Sequence, residues 1–131
     1  MPRHKAATNC TIRPWLSERK DCREGRFIQV GNSLLLSKAF QRLNGNAKHL
    51  YLCMALESGG NRDVKFTHSQ AKKYGISSTS FDRSVKELQD HRFIELITDG
   101  SGFRPQYAPN VYRFTFEWKT TSHNYKDERG D

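Results

Sequence analysis

Residues 67–91, THSQAKKYGISSTSFDRSVKELQDH, contain two helix signals in succession, separated by a glycine. Thr67 followed three residues later by Gln70 is a capping-box signal, which predicts a helix from His68 to Tyr74. Gly75 supplies a residue that tolerates the left-handed conformation in which many helices end. This stretch therefore predicts a short helix that stops sharply at the glycine.

A second helix is predicted directly after this turn, from Ser77 to His91. Its apolar residues Phe81, Val85 and Leu88 recur at helical spacing, so they should face a core. Because the two helices are separated by so few residues, we expect them to form a helix-turn-helix.

Downstream of residue 91 the apolar pattern changes from helical spacing to alternation, which is typical of strands. Residues 93–98 predict one strand and residues 111–118 a returning strand, with Tyr112, Phe114, Phe116 and Trp118 on one face. Asp99 begins the turn between them. Pro105 and Pro109 bracket a polar loop that is longer than a minimal hairpin needs, and we interpret this loop as a wing.

Upstream of residue 67 the clearest element is a central buried helix that begins after an N-cap at Asn46 and stops at Gly59. A short extended piece is predicted over residues 64–66. Residues 27–30 predict a short strand, and residues 34–43 a short helix with Ser33 or Ser37 as its N-cap and Gly45 as its end.

The flanking segments are polar and predict a single central domain. Residues 1–25 are expected to form a basic, flexible arm, with Trp15 as a possible docking point, residues 26–119 the domain, and residues 120–131 a disordered tail. The sequence contains no apolar run that could span a bilayer and no secretory-signal pattern, so we expect a cytoplasmic protein without membrane contact. The three cysteines are odd in number and irregularly spaced, which favours reduced structural thiols.

The net charge favours a polyanionic partner, since 22 lysines and arginines face 14 acids, a formal charge of +8. The histidines form no metal-binding pattern, and phosphate-binding and dinucleotide-binding loops are missing from the sequence, so we expect neither a metal nor a cofactor. An enzyme is the least supported class, because clustered catalytic groups are not evident in so short a chain.

Residues 71–77, AKKYGIS, followed by Phe81, Val85, Leu88, FIELI and NVYRFTFEWK, resemble the winged helix-turn-helix family over residues 27–119. The resemblance rests on Ala71 and Gly75, four apart, and on the order of elements. The layout is also similar to the winged-helix domains of plasmid replication initiators and of small regulators on bacterial mobile elements. It implies an α+β fold with three to four helices and a C-terminal β-hairpin wing.

The function implied is sequence-specific binding of double-stranded DNA, as a bacterial transcriptional regulator or a mobile-element replication or transfer factor. Arg83 is the candidate for base recognition, because a guanidinium can donate two hydrogen bonds to guanine. Its alternative role is an i,i+4 ion pair with Glu87. The other candidate DNA contacts are the hydroxyls of Ser78, Thr79 and Ser80, whose alternative role is N-capping, with Lys86 on the same helix, Lys65, Lys72 and Lys73 toward the DNA backbone, and Arg104 and Gln106 in the wing.

A second class remains open, in which the winged helix is a protein–protein interaction module within a replication or conjugation complex. Asp82, Glu87 and Asp90 favour it, because acids on the predicted recognition helix oppose phosphate. A homodimer, or assembly with other replication or transfer proteins, also stays open, since winged helices often pair.

Overall fold

A computed structural model describes residues 10–98 and 110–119 of the chain. Within these residues the fold is mixed α+β, with five α-helices, a helical segment at residues 117–119, a 3-10 turn and two small antiparallel sheets. The helices are α1 (Asn32–Leu36), α2 (Lys38–Gln41), α3 (Gly45–Ser58), α4 (His68–Lys73) and α5 (Ser78–Asp90), and the 3-10 turn is Pro14–Leu16. The strands are β1 (Cys10–Thr11), β2 (Arg23–Glu24), β3 (Asp63–Lys65), β4 (Ile94–Thr98) and β5 (Val111–Phe114).

The larger sheet has the strand order β3-β5-β4, with every neighbouring pair antiparallel. Strand β5 is central, and its Arg113 lies opposite both Asp63 of β3 and Glu95 of β4. The predicted pairing of the two late strands is confirmed. The extended piece predicted at residues 64–66 corresponds to the third strand, which lies one residue earlier, at Asp63–Lys65. The smaller sheet joins β1 to β2, with Cys10 opposite Glu24.

The core lies between the sheet and the helices, with α3 packed against both α5 and β3. Its most deeply buried large side chains are Leu50, Met54, Phe66, Leu88, Phe93 and Ile94. Aromatic rings close the core at the sheet, where Tyr51 packs edge-on against Phe93 and Phe114 at centroid distances of 5.2 and 5.7 Å. Burial of these apolar surfaces is the main favourable contribution to folding.

The two helices predicted from residues 67–91 are confirmed to within one residue at each end. Thr67 and Gln70 form the reciprocal capping box, with the Gln70 amide donating to the Thr67 hydroxyl and the Gln70 side chain accepting from the Thr67 amide. Gly75 has a φ of 79°, the left-handed conformation expected of it. Ser77 caps α5 by accepting a hydrogen bond from the Ser80 amide.

The single helix predicted over residues 34–43 is instead divided into α1 and α2 at Ser37. The backbone of Ser37 is extended, its hydroxyl donates to the Leu34 carbonyl, and the same oxygen accepts from the Phe40 amide. Ser37 therefore ends one helix and begins the next. The expectation was three to four α-helices. Because of this division the described residues contain five, α1 to α5, besides the helical segment at residues 117–119.

Two further boundaries differ from prediction around α3. Its N-cap is Asn44 and not Asn46, because the Asn44 side-chain oxygen accepts from the Ala47 amide. Gly45 consequently begins α3 instead of ending the preceding helix. The predicted stop at Gly59 is confirmed, with a φ of 62°.

The strands predicted at residues 27–30 and beyond 114 are wrong. Residues 27–30 pair with no strand in the described part of the chain and line an open groove of about 550 Å³ beside α3. Strand β5 ends at Phe114 and residues 117–119 are helical, with Trp118 stacked on Phe93 at 5.2 Å and Phe116 58% exposed. Trp15 is 78% exposed and is not docked on the domain.

The loop between β4 and β5, interpreted above as a wing, lies outside the described residues together with Arg104 and Gln106. The first nine residues and residues 120–131 also lie outside them. No helix among residues 10–98 and 110–119 has the length and apolar character needed to cross a membrane.

Candidate nucleic-acid interface

Helix α5 has one buried face and one exposed face. Phe81, Ser84 and Leu88 are 3%, 1% and 0% exposed, and Val85 packs partly buried against the same core. The predicted core face is thus confirmed, with Ser84 as a polar addition. The opposite face presents exposed Ser78, Thr79, Asp82, Arg83, Lys86 and Asp90. Over 13 residues this face is about 20 Å long, which suits a major groove.

The first turn of α5 carries hydroxyl groups that the cap does not use. Ser77 performs the capping, so the alternative capping role considered for Ser78, Thr79 and Ser80 is taken by their neighbour. Ser78 and Thr79 are exposed, whereas Ser80 is half-buried. The start of the helix therefore offers two outward hydroxyls beside the amide groups that favour anions at helix N-termini.

Arg83 lies on the exposed face, and it does not form the ion pair considered for it. Glu87 instead accepts from the backbone amide and the side-chain amide of Asn44, at 2.8 and 2.6 Å. Within residues 10–98 and 110–119 no acid pairs with Arg83. The guanidinium is thus directed to solvent without an internal partner in that part of the structure.

The three acids of α5 each have a partner. The Asp82 Oδ1 atom lies 2.9 Å from the His68 Nε2 atom, and Glu87 accepts hydrogen bonds from Asn44. Asp90 lies 3.7 Å from the Lys86 ammonium, one turn away, with the two side chains 61% and 78% exposed. An exposed pair of this kind contributes only about 0.3 to 0.5 kcal/mol, so Lys86 is readily released to another anion.

The two adjacent lysines of α4 differ in their surroundings. Lys72 is exposed and has no acid partner among the described residues, whereas the Lys73 ammonium lies 2.7 Å from Glu57, whose side chain is only 9% exposed. Tyr74 donates a further hydrogen bond to Glu57 at 2.5 Å. The lysine and tyrosine hydrogen bonds hold the pKa of Glu57 below its ordinary value. Burial is the main cause that raises the pKa of Tyr74 to about 12, and the hydrogen bond to the Glu57 carboxylate adds to it.

Lys65 is exposed on β3, the strand that leads into α4. The structure thus places Lys65, Lys72 and the outward residues of α5 on connected elements, while Lys73 is engaged with Glu57. Sequence patterns did not indicate Glu57, His68 or Asn44. Their partners lie 14 to 43 residues away, beyond the reach of helical or strand periodicity.

Burial and the nearby Glu57 carboxylate lower the reactivity of the Cys53 thiol. Cys22 and Cys53 are both free thiols, and burial raises the pKa of Cys53 to about 11. A thiol held protonated in this way is a poor nucleophile and a poor metal ligand. Among the residues that the structure describes, no cluster of histidine, cysteine, aspartate and glutamate has a metal-binding arrangement.

Comparison with models of protein families gave no match, and comparison with curated proteins and with solved structures gave none either.

Proposed function

We propose that this protein is a winged-helix protein that binds double-stranded DNA sequence-specifically, with α5 as its recognition helix. Its biological role would be that of a bacterial transcriptional regulator or a mobile-element replication or transfer factor. The order of elements supports the proposal, because α3, β3, α4, α5 and the β4–β5 pair follow one another as in a winged helix.

The observation that carries the proposal is the exposed position of Arg83, on a helix whose opposite face is buried. Because Glu87 is occupied by Asn44, forming a contact with DNA would not require Arg83 to leave an ion pair with that residue. A guanidinium in the major groove can donate two hydrogen bonds to the O6 and N7 atoms of guanine. Arg83 therefore serves as the principal base contact.

The positive charge of the chain and two exposed lysines support the same proposal. The chain carries a formal charge of +8, and exposed Lys65 and Lys72 lie on the two elements that precede α5. Backbone contacts from such lysines position a protein on DNA without selecting sequence. Each phosphate neutralised should contribute about −0.9 to the slope of log affinity against log salt.

The test is selection from a random duplex DNA pool by the purified full-length protein, at about 50 and about 200 mM salt. We expect one enriched motif, containing a guanine, and weaker binding at the higher salt. A symmetric motif would indicate that two copies bind together. Failure to enrich any motif at either salt would refute the proposal.

The Arg83→Ala variant tests whether Arg83 is the residue that contacts the guanine. This variant should lose the preference for the guanine, worth about 1 to 3 kcal/mol, while keeping residual salt-sensitive binding. Arg19→Ala is the matched control, because it removes the same charge from an exposed side chain outside α4 and α5 that pairs only with Asp21 among the described acids. If Arg83→Ala retains the wild-type motif, the assignment of Arg83 is wrong.

The alternative function is that of a protein–protein interaction module, and one observation favours it. Large apolar side chains are exposed at several places, with Leu16 at 69%, Leu36 at 68% and Leu35 at 51%. Exposed apolar surface often marks a contact with another protein. In this alternative the full-length protein enriches no DNA motif, and Leu36→Ser alters its association state in sedimentation experiments.

A further inference from the structure

We propose that Asp82, oriented by His68, is a specificity-determining residue that accepts a hydrogen bond from the N4 amino group of a cytosine in the major groove. This inference rests on the proposed function, since it names a base that α5 recognises. It gives a role to an acid that would otherwise weaken binding, because a carboxylate on a DNA-facing helix is repelled by phosphate.

Asp82 is held in place from a neighbouring helix. The His68 Nε2 atom, on the first residue of α4, lies 2.9 Å from the Asp82 Oδ1 atom on the second turn of α5. The His68 ring in turn packs edge-on against Phe81 at a centroid distance of 4.7 Å, and Phe81 is 3% exposed. A buried aromatic ring therefore fixes the imidazole that positions the carboxylate.

The second carboxylate oxygen remains accessible. Within residues 10–98 and 110–119, no hydrogen bond joins Asp82 Oδ2 to the protein, and the Asp82 side chain is 67% exposed. Lys86, one turn further along α5, pairs with Asp90 and not with Asp82. One oxygen is thus used for orientation while the other can accept a hydrogen bond from a ligand.

The chemistry of the major groove selects the base. An ionised carboxylate only accepts hydrogen bonds, and the groove offers amino donors on cytosine N4 and adenine N6. Adenine also presents its N7 acceptor beside the amino group, which repels the carboxylate, so cytosine is the better partner. Arg83 is the next residue along the helix and favours guanine. Since the helical rise of about 1.5 Å is shorter than a base-pair step of about 3.4 Å, the cytosine should lie within a base pair or two of that guanine.

The experiment compares motifs selected by the full-length wild-type protein, Asp82→Asn and Asp90→Asn. The wild-type motif should contain the cytosine beside the guanine. In Asp82→Asn that position should change to adenine, because an asparagine amide complements adenine N6 and N7. Asp90→Asn removes the same charge from the last turn of the same helix, and it should select the wild-type motif.

Binding of defined duplexes measures the size of the effect. Replacing the cytosine should weaken wild-type binding by about tenfold, and by less than about twofold in Asp82→Asn. His68→Ala tests positioning: it should reduce discrimination at the cytosine several-fold while leaving discrimination at the guanine unchanged. A merely structural role of His68 would weaken recognition at both bases together.

Failure of this inference is distinguishable from failure of the proposed function. A wild-type motif that Asp82→Asn also selects, with no change at the cytosine, overturns the role of Asp82 and leaves DNA binding standing. The absence of any wild-type motif refutes the proposed function, and the role of Asp82 with it. Asp82→Ala provides a second variant, expected to lose the cytosine preference without gaining one for adenine.

Discussion

Glu87 and Asn44, 43 residues apart, join the start of α3 to the last turns of α5 through two hydrogen bonds of 2.8 and 2.6 Å. Asn44 simultaneously caps α3 with its side-chain oxygen. Asn44 thus caps the first turn of α3 and also holds the candidate recognition helix in place. The same contact withdraws Glu87 from Arg83, so it affects both stability and the availability of the guanidinium.

Glu87→Ala should lower the free energy of unfolding by about 1 to 2 kcal/mol, because it removes two hydrogen bonds to a carboxylate. Chemical denaturation monitored by circular dichroism would measure the change. Asp90→Ala is the control on the same helix, with an expected loss below about 0.5 kcal/mol. Equal losses in the two variants would show that the Asn44 contact is energetically unimportant.

Gly75→Ala and Gly45→Ala should change stability in opposite directions. Both glycines have open space where a Cβ would lie, so the difference comes from the backbone alone. Gly75 has a φ of 79°, and alanine there should cost about 1 kcal/mol. Gly45 is in the first turn of α3, where alanine should stabilise by about 0.5 to 1 kcal/mol. Thermal unfolding of the two variants checks this, and a stabilising Gly75→Ala would contradict the turn geometry.

The Glu57 carboxylate should make stability depend on pH in the acid range. Its pKa is lowered in the folded protein, so its contribution is complete above about pH 4.5 and is lost as the pH falls through the folded value. Glu57→Gln should flatten this part of the stability profile, measured by urea denaturation between about pH 3 and 6.

Lys73→Met should remove a large share of the same dependence, because the lysine hydrogen bond is the main cause of the lowered pKa. Its effect on stability at neutral pH should be about 1 kcal/mol, since the ammonium is more than half exposed. In the double variant Glu57→Gln/Lys73→Met, the loss of unfolding free energy should be smaller than the sum of the two single losses. Full additivity would mean that the pair does not interact.

Lys72→Ala and Lys73→Ala should separate DNA contact from fold stability at neighbouring positions, if the proposed function holds. Lys72→Ala should weaken binding uniformly across sequences and reduce the magnitude of the salt slope by about 1, with unfolding unchanged. Lys73→Ala should act mainly on stability through Glu57. The measurements are anisotropy titrations of a labelled duplex across a salt series and thermal melts of the same variants. A changed salt slope in Lys73→Ala together with a changed stability in Lys72→Ala would contradict the prediction.

Local signals predicted the elements around the helix pair well, and they failed where a side chain had two possible roles. The Thr67 capping box, Gly75 and the apolar spacing of α5 depend on residues within four positions of each other, and all are confirmed. Ser37 was a candidate N-cap, yet periodicity could not show that it also ends the preceding helix. The alternation after Val111 predicted a longer strand, but β5 ends at Phe114 and Trp118 stacks on Phe93 from a helical segment.

The sequence by itself determined the helix pair, its turn, the buried face of α5 and the net charge available for a polyanion. These features follow from capping hydrogen bonds and from apolar spacing, both of which act between residues a few positions apart in the sequence. Only the tertiary structure decided which charges stay accessible, pairing Glu57 with Lys73, Glu87 with Asn44 and Asp82 with His68. Those choices depend on distances between helices, which packing of the shared core sets and no local pattern encodes.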